Sequence, residues 1–172
     1  ATGFWRVFLA LPFLWGWALF GGRRQHFENF TRNRRLMIVA GLFFAGDLAV
    51  WHWSIVLTSV ANATLLANLA PIFVTLAAWL LFRKTPGMLF IVGMATALAG
   101  MAGLLGGDFR LGGKALLGDA LGVITAMFYA GYQLTVTRLR SAASTAGIMA
   151  WSGIVTAAAL LPLALISGEQ FF

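Results

Sequence analysis

Long apolar runs separated by short charged links constrain this chain more than any other feature. Most charged residues lie in the links, and Asp47 is the one that falls near the middle of a run. Roughly 20 apolar residues make a helix that crosses a bilayer, where lipid cannot satisfy free backbone N–H and C=O groups. A transmembrane barrel would instead alternate apolar and polar residues along short strands. The sequence therefore predicts an all-α, polytopic transmembrane helical bundle with about six membrane-spanning helices, at residues 4–20, 36–58, 60–82, 87–106, 115–137 and 146–167.

Composition agrees with this class and excludes several others. Hydrophobic residues make up 60% of the 172 residues and charged residues only 10%, whereas a soluble domain carries about 25% charged residues. The chain has no cysteine, which excludes disulfides and thiolate metal sites. It also has no G-x-x-x-x-G-K-[ST] phosphate-binding loop. We therefore expect no cofactor, no metal and no direct use of ATP.

Basic residues fall in alternate links, which orients the predicted spans. Nine of the twelve lie on one side, namely Arg23, Arg24, Arg32, Arg34, Arg35, Arg83, Lys84, Arg138 and Arg140. The other three, Arg6, Arg110 and Lys114, lie on the opposite side. Because cations mark the cytoplasmic face, we predict a multi-pass protein of the inner (plasma) membrane, and the net charge of +7 indicates topology rather than nucleic-acid binding. The first residue would then face outward, so we expect one preceding helix in the parent protein.

The second span places polar side chains on one helical stripe. Asp47, Trp51, Ser54 and Thr58 recur at helical spacing. An ionised carboxylate at mid-membrane costs about 2.5–3.5 kcal/mol, so Asp47 is a candidate for carrying a proton or meeting a cationic substrate. The alternative is a structural role, with Asp47 bonded to Arg6 or to a serine. His52 lies about 140° around the helix from Asp47, which does not favour a catalytic pair.

The third, fourth and fifth spans supply further candidates. Asn68 and Pro71 share a stripe of the third span, as a cavity wall or, equally, as a kink packed on neighbours. Tyr129 and Gln133 are the cavity candidates of the fifth span, whereas Asp119 is expected at a solvated helix start. Small residues along the fourth span favour close packing of helices, with a homodimer contact as an option; they are Gly93, Ala97, Gly100 and Gly103.

Several stretches resemble the EamA-type transporters of the drug/metabolite transporter superfamily. "TSVANATLLANLAPIFVTLAAWLLF", which follows "GDLAVWHWSI", resembles the family's small-residue run and its helix with a proline. "GDALGVITAMFYAGYQLTVTRLR" resembles its sixth helix, and "WRVFLA" resembles the arginine-led start of its second helix. One departure is "FRKTP", where Lys84 stands at the position of a usual glutamate.

The resemblance implies ten helices in two inverted repeats. Residues 1–106 would be the second to fifth helices of the first repeat, its first helix missing, and residues 107–172 would start the second repeat. It also implies a central cavity lined by Asp47, Trp51, Asn68, Pro71, Tyr129 and Gln133. Arg6 would be the arginine that opens the family's second helix.

Together these features predict a secondary transporter, expected to export small organic solutes by alternating access. Few charges lie within the spans, which favours a neutral, zwitterionic or mildly cationic solute, and a proton carried by Asp47 is a candidate driving ion. Two alternatives remain open. One is a membrane scaffold or assembly subunit, and the other is an intramembrane hydrolase built on Ser54, His52 and Asp47.

Overall fold

The computed structural model describes residues 2–20, 23–83, 85–105 and 113–166, so Lys84 and Arg110 of the charge pattern lie outside the described residues. Those ranges form helices joined by short turns, with no strand among them. The helices are α1 (Thr2–Phe20), α2 (Arg23–Leu57), α3 (Val60–Ala67), α4 (Ala70–Phe82), α5 (Met88–Leu105), α6 (Gly113–Leu139) and α7 (Thr145–Ile166). The all-α prediction is therefore confirmed, and the described residues of the six apolar runs lie mainly in helices.

Four segments of the described chain are long and apolar enough to cross a membrane. They are Arg32–Leu57, Val60–Leu81, Gly113–Leu139 and Thr145–Ile166, and Met88–Gly103 is a shorter apolar helix. Large apolar side chains on these and other helices are exposed, including Phe13 at 81% and Leu89 at 88%. Apolar surface of this extent is unfavourable in water and suits contact with acyl chains. The fold is that of a helical membrane protein.

Local sequence explains where the helices in the middle of the chain begin and end. Ser59 caps α3, since its hydroxyl oxygen accepts a 3.0 Å hydrogen bond from the backbone N–H of Asn62. Pro71 lies in the first turn of α4, where its missing N–H removes no intrahelical bond. Arg83 ends α4 in the left-handed conformation, with φ of 51°.

The chain divides into two compact units, and the first comprises Ala1–Ala49 and Gly131–Phe172. Within it α1 packs on α7. Its largest core cluster combines Phe4, Val7, Ala45, Ala157, Leu160 and Ala164. The hydroxyl of Thr156 donates to the carbonyl of Gly41 at 2.9 Å. A methyl group on Gly41 would lie 2.5 Å from Cβ of Val155, so this glycine allows α2 and α7 to approach closely.

The second unit comprises Val50–Ala130. It contains the last turns of α2, all of α3, α4 and α5, and the first half of α6. Most of the functional residues predicted for the third and fifth spans belong to this unit, which also contains a break within a membrane span.

Candidate functional site

The predicted third span is not one helix but two. Val60–Leu81 has the length and apolarity of a single span, yet α3 ends at Ala67 and α4 begins at Ala70. At the break the backbone N–H of Asn68 donates to the carbonyl of Thr64 at 3.1 Å, and that of Leu69 donates to Leu66 at 3.0 Å. The side-chain amide of Asn68 also donates to the Thr64 carbonyl, at 2.9 Å. The backbone N–H and the side-chain amide of Asn68 thus both donate hydrogen bonds to the backbone of the turn.

A hollow of about 520 Å³ lies beside this break. Its volume is within the range of about 300–1,000 Å³ that is typical of small-molecule sites. Among the described residues the lining is almost wholly apolar, and Asn68 is its one polar side chain. It comprises Leu65, Asn68, Leu69, Pro71, Ile72, Phe90, Gly93, Met94, Ala97, Leu98, Gly100 and Met101. Residues of the break form one wall and residues of α5 form the other.

Small residues of α5 line one side of this hollow. Gly93, Ala97 and Gly100 line it, and a methyl group on Gly93 or Gly100 would meet no atom within 4 Å. The same is true of Gly103, outside the lining. The expectation that this side of the helix packs closely on a neighbour is therefore not met within the described residues. Spacing of the small residues was visible in the sequence, but the open space beside them was not.

The hollow contains two of the predicted cavity residues. Asn68 and Pro71 line it together, and both are exposed. Trp51 and Tyr129 also belong to the second unit; Trp51 is half-buried on α2 and Tyr129 is 40% exposed on α6.

The remaining predicted residues belong to the first unit. Asp47 is half-buried on α2, Gln133 is half-buried on α6, and Arg6 is exposed on α1. The backbone carbonyl of Gln133 accepts a 2.8 Å hydrogen bond from the hydroxyl of Thr137.

Two side-chain hydrogen bonds join the end of α2 to the start of α6. The hydroxyl of Ser54, fully buried, donates to the carbonyl of Gly118 at 2.7 Å. The hydroxyl of Thr58 donates to Oδ1 of Asp119 at 2.7 Å. Asp119 is only 5% exposed, so the expectation of a solvated helix start at this residue is wrong. Ser54 and Thr58 thus join the end of α2 to the start of α6.

Close backbone approach explains why Asp119 is buried. A methyl group on Gly118 would lie 2.6 Å from the backbone nitrogen of Thr58 and 2.8 Å from the carbonyl carbon of Leu57. Only glycine permits this distance, and it brings the neighbouring carboxylate against α2. The sequence signal for the contact is the Gly-Asp pair itself, which becomes informative only once its partner helix is known.

The model of the EamA-like transporter family matches residues 1–106 of the chain. No curated protein matches the chain. No solved structure matches it either.

Proposed function

This chain belongs to the EamA-like transporter family, and we propose that it moves small organic solutes across the membrane, with the hollow beside Asn68 on the solute path. Membership makes it a membrane transporter of the drug/metabolite transporter superfamily. We propose further that the protein lies in the inner (plasma) membrane, that it exports its solutes, and that alternating access is its mechanism. Residues 1–106 and 107–172 would belong to two repeats that move against each other.

The break between α3 and α4 is the observation that carries this proposal. Irregular backbone at membrane depth is tolerated only where protein or water covers it. Transporters place such broken helices at their binding sites, where freed polar groups meet the solute. Here the break borders a hollow with one amide side chain in an apolar lining. That combination suits a small amphipathic solute that makes few polar contacts, and it does not suit a polyanion.

The other predicted residues receive proposed roles in the complete path. Asp47 would carry a coupling proton, since a neutral carboxyl avoids the cost of an ionised one in the membrane. Arg6 would be its polar partner in one state. Trp51 and Tyr129 would offer flat apolar walls, and Gln133 a hydrogen bond to the solute.

The proposal is tested by a solute screen in proteoliposomes, followed by comparison of two variants. Asn68→Leu removes the polar group of the hollow, whereas Thr96→Val alters an exposed hydroxyl of α5 outside the lining. We expect Asn68→Leu to lose flux of the solutes that the wild type moves and Thr96→Val to keep it. Equal flux in both variants, with both proteins folded, would contradict a role for the hollow.

The same experiment separates the two rival functions. A membrane scaffold would show no flux with any solute, and Asn68→Leu would change only its stability or its recovery of partner proteins. An intramembrane hydrolase would require Ser54 as an accessible nucleophile. Its hydroxyl is fully buried and donates to the Gly118 carbonyl, which does not favour that chemistry.

A further inference from the structure

Helix α2 has a kink at the point where its basic residues meet its apolar run. Asn33 has φ of −114° and ψ of 17°, which are not helical values. On a continuous helix positions 32 and 34 project about 200° apart, on opposite sides. The kink removes that constraint, so side chains that a straight helix would separate can lie around one space.

A pocket of about 290 Å³ occupies this place, lined by Arg32, Asn33, Arg34, Arg35 and Leu36, and we call it the 32–36 pocket. Its three arginines are exposed. Among the residues whose side chains the structure describes, none that lines the pocket is acidic. Three arginines thus line one small space, and the described lining contains no carboxylate, so the pocket suits an anion with several acceptor oxygens.

The pocket lies at one end of a candidate membrane span. The candidate span Arg32–Leu57 begins with these residues. Leu36, the last lining residue, is half-buried and packs against the cluster of Met37, Ala40, Leu139 and Ile148. The change from charged to apolar sequence therefore occurs at the pocket, at the first residues of the candidate span.

We propose that the 32–36 pocket binds the phosphate of an anionic phospholipid. Arginine clusters next to a span, on the side predicted to be cytoplasmic, attract anionic lipids. A free phosphate would have the same headgroup chemistry, but its binding would gain nothing from an adjoining apolar boundary. This inference does not depend on solute transport, because a lipid can bind whether or not the protein carries a solute.

The test uses the purified protein in detergent, with thermal unfolding followed as lipid is added. Phosphatidylglycerol is expected to raise the unfolding temperature, and phosphatidylcholine to raise it little. The double variant Arg34→Gln/Arg35→Gln should weaken the apparent affinity for phosphatidylglycerol by roughly fivefold per arginine. The matched control, Arg138→Gln/Arg140→Gln, removes two exposed arginines of the same predicted side from a place without the kink.

A second variant separates a built pocket from general surface charge. Asn33→Ala favours a straight helix, since alanine has the highest helix propensity, and it leaves the net charge unchanged. We expect it to weaken the preference for phosphatidylglycerol. Equal weakening by both arginine pairs, with full affinity in Asn33→Ala, would overturn the proposal in favour of diffuse attraction. An equal stabilisation by inorganic phosphate at the same concentration would overturn the lipid as the ligand.

Discussion

Single residues decide how closely the end of α2 meets the start of α6. Gly118 lets the two backbones approach to a distance that any Cβ would prevent. Thr58 then reaches the buried carboxylate of Asp119, and Ser54 reaches the Gly118 carbonyl. Side chains of these types are among those that join helices within membranes.

Gly118→Ala should destabilise the protein by about 1–3 kcal/mol, because the added methyl group meets backbone atoms that cannot rotate away. Gly100→Ala is the matched control, as its methyl group meets no atom within 4 Å. There the higher helix propensity of alanine should leave stability unchanged or raise it by up to about 1 kcal/mol. The free energy of unfolding of both variants is measured in increasing concentrations of a denaturing detergent. Equal stability of the two variants would contradict the close contact.

Thr58→Val should lower the free energy of unfolding by about 1–3 kcal/mol, because it leaves Oδ1 of the buried Asp119 without its hydroxyl donor. Asp119→Asn should cost less, since an amide oxygen can still accept that bond. The two variants are compared in the same unfolding assay. A larger loss in Asp119→Asn than in Thr58→Val would show that the carboxylate has a different partner.

Asp47→Asn should abolish any dependence of solute flux on external pH, because the amide cannot carry a proton. Flux is measured in proteoliposomes over a range of pH with the wild type and the variant, and Asn68→Leu is measured beside them. Transport that keeps its pH dependence in Asp47→Asn would remove this residue from the coupling step, and the hollow beside Asn68 would be unaffected by that result.

At the scale of helices, the apolar runs in the sequence predicted the elements well but not their breaks. Length and apolarity alone indicated one span at residues 60–82, and Pro71 indicated a disturbance within it. The structure contains α3 and α4 instead. Proline removes one donor, and here the side-chain amide of Asn68 gives the Thr64 carbonyl a second hydrogen bond at the end of α3. The position of proline in the sequence does not show this contact.

The candidate site was predictable only in part, for a related reason. Helical spacing placed Asn68 and Pro71 on one face, and both line the hollow. The opposite wall was expected to be a packing surface, because small residues usually mark one. Spacing along a helix defines its faces but not the distance to its neighbour, and that distance decides whether glycines make a contact or a cavity.

At the scale of the whole molecule, the charge pattern predicts which ends of the helices face the cytoplasm. The chain has no cysteine, so single cysteines can be introduced without background. Thr85→Cys and Ser141→Cys should react with a membrane-impermeant maleimide only after cells are opened. Val60→Cys, at an exposed position at the start of α3, should react in intact cells. The reverse pattern would invert the topology and place the 32–36 pocket on the outer face.

Solute flux in proteoliposomes with Gly93→Leu and Gly103→Leu tests the central claim most directly. Both glycines lie on α5 with open space beside them, but only Gly93 lines the hollow. A leucine at position 93 would fill part of the space beside Asn68, and one at position 103 would not. We predict that Gly93→Leu loses most of its flux while Gly103→Leu retains it, with both proteins equally stable. Wild-type flux in a folded Gly93→Leu protein would show that solutes do not pass through the hollow.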